Sequence, residues 1–421
     1  MPSTRVSETW QILGSLPRDL DLFALPGLEP FALLYGDGRW AVFGEGPLAV
    51  LEEPDPSGFV FRRRGEIPPL LPDFIGFATY DWGCGLDPLM PAPRPADLPF
   101  PAFHFTLFRR VLVLDRQEER VYEALRSGID APPRRNALRP GPFRARQAGD
   151  SDTPAGYEAK VARVREEIAR GNVYQANLTR QETWTCEGDL RHFARALHAR
   201  NPAPFSAFMA GEAFVVVSSS PERFVQRRGD RLVVRPIKGT APRGRDAAED
   251  AALAAELLAS PKNNAELAMI VDLLRNDLTR ACETPSVRVE AFPELETYAN
   301  VHHLVGTVSG KARADLTLRG LLEALFPGGS ITGCPKLAAM ALIRELEPLP
   351  RQLYTGALGW FTHDLSGLDL NIAIRTAFGD GRTLRFGVGG GVVWESDPRS
   401  EYLETVHKGA SLRACLASFG G

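Results

Sequence analysis

The apolar and polar positions of this chain change period along its length. Up to residue 128 the apolar residues come in short runs, at 31–35, 40–43, 59–62, 75–80 and 103–114, separated by Gly, Pro and Asp. Runs of that length predict β-strands. The stretch 129–153 has no apolar period and mixes Pro132, Pro133, Pro140 and Pro142 with Arg134, Arg135, Arg139, Arg144 and Arg146. It predicts a linker between an N-terminal mostly-β region (1–128) and a larger second region (154–421).

Helical and strand periods alternate in that second region. Thr153 and Pro154 suit an N-cap and a first helical position, Tyr157, Val161, Val164 and Ile168 share a face, and Gly171 can end the helix. Strict alternation over 172–180 places Gln175, Asn177 and Thr179 on one face of a strand. The run 232–234 predicts a strand ending in a basic turn, Pro-Ile-Lys-Gly-Thr at 236–240, between Arg235 and Arg243. Helices are predicted over 247–258, 262–278 and 337–347; in the second, Glu266 stands one turn before Ile270 on the edge of the apolar face. Leu370, Ile372 and Ile374 alternate with Asn371, Ala373 and Arg375 as one strand through 376. The glycines at 387 and 389–391 run on into Val392-Val393-Trp394, so they lie within a strand rather than opening a dinucleotide-binding helix.

Composition narrows the classes. A net charge of −3 over 421 residues supplies no basic field for nucleic acid. The apolar runs are too short to span a bilayer, and residues 1–14 lack an apolar signal core. Cys84, Cys186, Cys282, Cys334 and Cys415 are scattered, and the seven histidines include no His-Glu-x-x-His. The expectation is a cytoplasmic protein with reduced thiols and no zinc.

The candidate chemistry admits two readings at most positions. Lys238 is a solvated turn lysine, or an amine on rigid backbone whose pKa desolvation and the nearby arginines depress toward nucleophilicity. Glu222 reads as a turn carboxylate, and His303 as a hydrogen-bonded core residue or a catalyst. The loop 327–336 ahead of a helix can bind an anion, although it lacks the P-loop spacing. Arg375 is a surface residue or a carboxylate clamp. Glu401, Glu404 and Lys408 share a helix face, as salt-bridge decoration or, with Glu266, as a hold for a hard cation such as Mg²⁺.

Taken in order, Tyr-Gln-x-Asn-Leu (174–178), Ser-Pro-Glu-Arg-Phe (220–224), Pro-Ile-Lys-Gly-Thr, Met-Ile-Val-Asp-Leu-Leu-Arg-Asn-Asp-Leu (269–278), His-His-Leu-Val (302–305), Pro-Gly-Gly-Ser-Ile-Thr-Gly-Cys-Pro-Lys (327–336), Asn-Ile-Ala-Ile-Arg-Thr (371–376) and the Glu401/Glu404 helix resemble the chorismate-utilising enzymes. The resemblance covers about residues 154–415 and is looser before them, chiefly at Gly76-Phe77-Ala78-Thr79-Tyr80. It implies an α+β fold, with large antiparallel β-sheets packed as a sandwich and helices outside. It also implies Mg²⁺ held by Glu266 and Glu404 with Glu401 and Asn263 near it, the last often acidic in the family. The ring carboxylate of chorismate would meet the metal, Lys408 and the Gly389 backbone. Arg375 and Tyr354 would grip the enolpyruvyl carboxylate, and Thr332 would belong to the closing loop.

Two positions divide the family. Water-adding members carry a lysine where this chain has Gln175. Lys238 resembles the lysine of the aminodeoxychorismate synthases, where anthranilate synthases usually have alanine. The implied chemistry is amination of chorismate at C4 for p-aminobenzoate and folate. Glu222 would be the general acid, Lys238 a covalent nucleophile, and His303 would orient the C4 hydroxyl region. Ammonia would come from a separate glutaminase subunit, since the context of Gly83-Cys84-Gly85 does not match the family's glutaminase nucleophile. Anthranilate synthesis, or a non-catalytic chorismate-binding or glutaminase-docking role, are the alternatives.

Overall fold

The computed structural model describes residues 4–14, 31–36, 39–127, 142–298 and 301–420. The N-terminal part comprises β1 (Thr4–Gly14), β2 (Phe31–Gly36), β3 (Trp40–Leu51), β4 (Phe59–Gly65), β5 (Phe74–Ala78), the short α1 (Tyr80–Gly83), β6 (Phe103–Asp115) and β7 (Arg120–Ser127). There follow β8 (Arg144–Asp150), α2 (Pro154–Ala169), β9 (Gln175–Glu187), α3 (Leu190–Arg200), β10 (Phe205–Ala210), β11 (Val215–Ser220), β12 (Arg223–Arg228), β13 (Arg231–Val234) and β14 (Ile237–Pro242). The remainder is α4 (Ala247–Ala259), α5 (Pro261–Thr279), β15 (Arg288–Thr297), β16 (Val301–Lys311), α6 (Leu318–Leu325), β17 (Gly333–Cys334), α7 (Lys336–Leu346), β18 (Ala357–Phe361), β19 (Gly367–Ile372), β20 (Thr376–Gly379), β21 (Thr383–Val392) and α8 (Pro398–Ala417).

Antiparallel pairing leads from β16 through β13, β12, β19, β18, β5, β6 and β3 to β2. It continues through β10, β11, β20, β21 and β9 to β8. The two halves of this ladder fold face to face, and Trp10, Trp40, Phe77, Phe108, Phe214, Tyr354 and Phe378 share the apolar layer between them. Helices cover the outer faces: α5 and α6 pack on one half through Leu267, Ile270, Leu274, Leu321 and Leu322. On the other half α3 and α8 pack through Phe193, Leu197, Leu412 and Leu416. This is an α+β sandwich. No helix among the described residues is long and apolar enough to cross a membrane.

Local chemistry explains most boundaries. Thr153 caps α2 by accepting from the Gly156 N–H, and Ser260 caps α5 from the Asn263 N–H, each with proline at the first position. Two differences from the expected elements matter. Of the expected linker 129–153, residues 129–141 lie outside the described residues, but 144–150 form β8, hydrogen-bonded along β9 from Arg144–Glu187 to Asp150–Glu182. The alternation at 370–376 is not one strand: β19 ends at Ile372, β20 starts at Thr376, and Arg375 between them has φ +48°. That left-handed residue is costly for an arginine, and it turns the chain so that the side chain leaves the sheet plane.

β1 and β7 do not show as apolar runs because their inward positions carry charge. Glu8 of β1 and Arg126 of β7 are fully buried and paired, Arg126 Nε donating to Glu8 at 2.7 Å. Arg63 of β4 donates to the other Glu8 oxygen at 2.6 Å and to the buried Asp73, which also accepts from the backbone and ring nitrogens of His363 at 2.9 Å. Burial alone would raise the Asp73 pKa. The His363 bond and the Arg126 and Arg63 charges outweigh it and hold the carboxyl below its ordinary value. A folded-state pKa that is depressed contributes stability above the ordinary range and loses it as pH falls through the folded value. Asp73→Ala leaves the buried Arg126 and the partly buried Arg63 undercompensated and is expected to cost about 3–5 kcal/mol at neutral pH. Urea unfolding checks this, and the gap to wild type should narrow on acidification.

Candidate active site

Lys238 lies in β14 rather than on a solvated turn. It pairs with Leu304, and the register slips one residue later, so that Thr240 opposes His303. The bulge falls on Gly239, at φ +76°, where a Cβ would stand 2.9 Å from Cγ of Asn263. Glycine thus lets α5 close on β14, and the bulge aims Lys238 into a cavity of about 590 Å³.

Glu222 lines the same cavity from the end of β11. It is buried, and burial raises its pKa; Lys238, the Ser330 hydroxyl at 3.0 Å, the Ile237 N–H and Lys408 partly offset this. Burial likewise lowers the Lys238 pKa, opposed by Glu222 and Glu266 and assisted by Lys408. Both shifts favour the neutral partner of each group. Arg235 and Arg243 are not the cause, contrary to expectation. Arg235 is paired with Glu296 and Arg243 with Asp250, and of the two expected causes burial is the one that operates.

One end of the cavity is acidic. Asn263 and Glu266 enter from α5, Glu401 and Glu404 from α8. A Cβ on Gly390 would lie 3.2 Å from Glu404 Oε1 and 3.3 Å from Glu401 Oε2, so both carboxylates overhang the glycine run of β21. Glu401 accepts from the Ser396 hydroxyl at 2.5 Å. Lys408 donates to Glu404 at 2.6 Å and to the Gly389 carbonyl at 3.0 Å, so the salt-bridge reading of this helix face is realised as well. Among the described residues no group of three or more His, Cys, Asp or Glu forms a ready-made metal site. An all-oxygen set of carboxylates and an amide suits Mg²⁺ that completes its shell from ligand and water.

A cationic group also lines the cavity. Arg375 lines the cavity, burial lowers its pKa, and no hydrogen bond or ion pair to its guanidinium is seen among the described residues. Tyr354, buried, lies against Gly387, where any side chain would strike its ring at 2.3 Å. His303 is buried, with Nδ1 2.9 Å from the Thr240 hydroxyl and its pKa lowered by burial and by Arg375. The cavity therefore brings Arg375, Lys238, Lys408, the acid Glu222 and a cluster of carboxylates to one lining.

Lys238, Glu222, His303, Tyr354, Arg375, Gly389, Lys408, Asn263, Glu266, Glu401 and Glu404 all line this one cavity. Gln175 and Thr332 do not. Gln175 is fully buried behind Gly391, its amide nitrogen and oxygen both without a hydrogen-bond partner among the described residues. Thr332 is buried and donates to the Gly328 carbonyl at 3.0 Å, while its neighbours Ser330 and Ile331 line the space instead. Sequence reasoning gave no site role to Ser330, Lys262 or His407. Ser330 had a usable signal, in the Gly-rich loop; Lys262 and His407 are marked only by helical spacing from Glu266 and Glu404.

The fold and this site define an enzyme-like cleft lined by both cationic and acidic side chains, and comparison with known proteins identifies its family. The sequence profile described as chorismate binding enzyme matches residues 45–414, and the chain belongs to that family. The aminodeoxychorismate synthase component 1 of Bacillus subtilis (strain 168) is 32% identical over 94% of this chain and 89% of that protein. The protein of the same name from Escherichia coli (strain K12) is 34% identical over 90% of this chain and 86% of its own length. The crystal structure of anthranilate synthase component I from Streptococcus pneumoniae TIGR4 superposes with a TM-score of 0.73 at 26% identity, covering 94% of each chain.

Ser330→Ala removes a hydrogen bond that favours the charged form of Glu222, so its pKa should rise further. If Glu222 acts as an acid, the alkaline limb of the kcat–pH profile should move to higher pH, as read from initial rates.

Proposed function

We propose that the chain aminates chorismate at C4, giving 4-amino-4-deoxychorismate for p-aminobenzoate and folate synthesis. The observation that carries this reading is Lys238, an amine kept toward its neutral form opposite the buried Glu222 in a cavity with two carboxylate grips. Arg375 and Tyr354 take the enolpyruvyl carboxylate. The ring carboxylate lies toward Lys408 and the Gly389–Gly390 backbone. Glu266 and Glu404, with Glu401 and Asn263 beside them, would hold Mg²⁺, which when bound supplies charge neutralisation for that ring carboxylate.

Protonated Glu222 donates to the C4 hydroxyl, which leaves as water while the Lys238 amine bonds to C2 and both ring double bonds shift, from C1–C2 and C5–C6 to C1–C6 and C4–C5. The Glu222 carboxylate takes back the proton that the new ammonium sheds. Ammonia then attacks C4, both double bonds return to C1–C2 and C5–C6, and the C2–N bond breaks as Glu222 gives its proton to the departing Lys238 amine. Chorismate and ammonia are consumed, aminodeoxychorismate and water produced. Two allylic displacements replace one difficult substitution, the usual gain of covalent catalysis. His303, hydrogen-bonded to Thr240, orients the C4 hydroxyl region. Gln175 stands where water-adding relatives carry a lysine and cannot serve as that base, which supports amine rather than water addition.

The designation of the Bacillus subtilis and Escherichia coli relatives as component 1 supports a second component, a glutaminase that supplies the ammonia. Purified protein given chorismate, Mg²⁺ and ammonium should consume chorismate and yield p-aminobenzoate only after an aminodeoxychorismate lyase is added. Anthranilate fluorescence without the lyase would overturn the reading. Lys238→Ala is expected to lower kcat by about 10²-fold or more and to abolish any adduct found by mass spectrometry of the quenched enzyme.

A further inference from the structure

One buried ion pair stands outside the cavity yet touches three of its walls. Arg351 and Glu347 are 1% and 3% exposed, and neither lines the site. Arg351 Nε and Nη2 fork onto the Glu347 carboxylate at 2.8 and 2.7 Å. Its remaining donors go to backbone and side-chain oxygens of lining residues: Ile331 O at 2.9 Å, Asn177 O at 2.8 Å and Thr355 Oγ1 at 3.3 Å. Glu347 Oε1 also accepts from the backbone N–H and hydroxyl of Thr179, at 3.0 and 2.8 Å. The guanidinium sits over the Tyr80 ring at 4.7 Å, so one face is closed by an aromatic.

The four residues held come from three unconnected segments. Asn177 and Thr179 lie on β9, opposite Gly391 and Gly389 of β21. Ile331 follows Ser330, whose hydroxyl donates to Glu222. Thr355 follows Tyr354, and its hydroxyl donates to the Tyr354 carbonyl at 2.6 Å. A neutral pair of alkyl residues could fill the same volume, and a buried ion pair is weak evidence for stability alone. Its geometric product here is the mutual placement of the glycine floor, the Ser330–Glu222 bond and the tyrosine wall.

We propose that the Arg351–Glu347 pair is a positioning element for the chorismate reaction, fixing these three walls relative to one another without touching the ligand. It rests on the chorismate reading for its kinetic consequence, but its structural consequence does not. Arg351→Lys keeps the charge and cannot reproduce the fork and its two carbonyl bonds. The charges assigned to substrate binding stay in place, so KM for chorismate should stay within about threefold while kcat falls by about 10–100-fold, since small misplacement in a preorganised site costs that much. Hydrogen exchange should quicken selectively at the Asn177, Thr179 and Thr332 amides.

Thr179→Val, which removes one bond and leaves the pair buried, guards against loss of folding. It should give a smaller kcat loss that is not additive with Arg351→Lys. Folded variants with wild-type kcat and wild-type exchange at those amides would overturn the proposal. So would a uniform rise in exchange with activity lost only in proportion to unfolded protein. Wild-type enzyme that fails to consume chorismate would count against the functional reading instead, and the exchange experiment would still decide the structural one.

Discussion

Burial of an acid and an amine in one cavity is the constraint on which the rest of the site depends. In water Glu222 would be a carboxylate and Lys238 an ammonium, useless as acid and nucleophile. Desolvation disfavours both charged forms, which is the condition covalent amination needs. The fold meets it by building both into strand ends, Glu222 after β11 and Lys238 beside the Gly239 bulge, under α5. Their mutual attraction works against the shift, so the balance rests on how dry the cavity is kept.

Keeping it dry and shaped falls to residues distant in sequence. The glycine run of β21 matters because side chains there would occupy space taken by Tyr354 at Gly387, by Glu401 and Glu404 at Gly390, and by Gln175 at Gly391. These approaches let α8, β9 and the 354–355 segment close on one strand. Arg375, its guanidinium without a partner among the described residues, and the cluster of carboxylates line the same cavity, a charge pattern suited to an acidic ligand.

Much of this was legible in the sequence. The start of α2 followed from Thr153-Pro154, and the glycines at 387 and 389–391 lie within a strand as expected, although it ends at Val392 rather than running on through Trp394. What was not legible has a common cause: burial of polar groups in long-range pairs. β1 and β7 were hidden because Glu8 and Arg126 occupy core positions that only Arg63 and Asp73, far along the chain, make tolerable. Arg375 broke an apparently continuous alternation through a left-handed backbone that alternation cannot register. Lys238 was assigned the wrong neighbours, because sequence adjacency to Arg235 and Arg243 says nothing of where their charges are spent.

The claim that burial prepares Lys238 as a nucleophile is tested most directly by its own titration. Side-chain NMR of the lysine Nζ and Cε groups, with the Lys238 resonance assigned by its loss in a Lys238→Met variant, gives that pKa in the ligand-free enzyme. The account predicts deprotonation below the ordinary lysine value of 10.5, with a further fall when Glu222 is changed to Gln and its opposing charge is removed. A Lys238 that titrates at or above 10.5, and does not respond to Glu222→Gln, would contradict it.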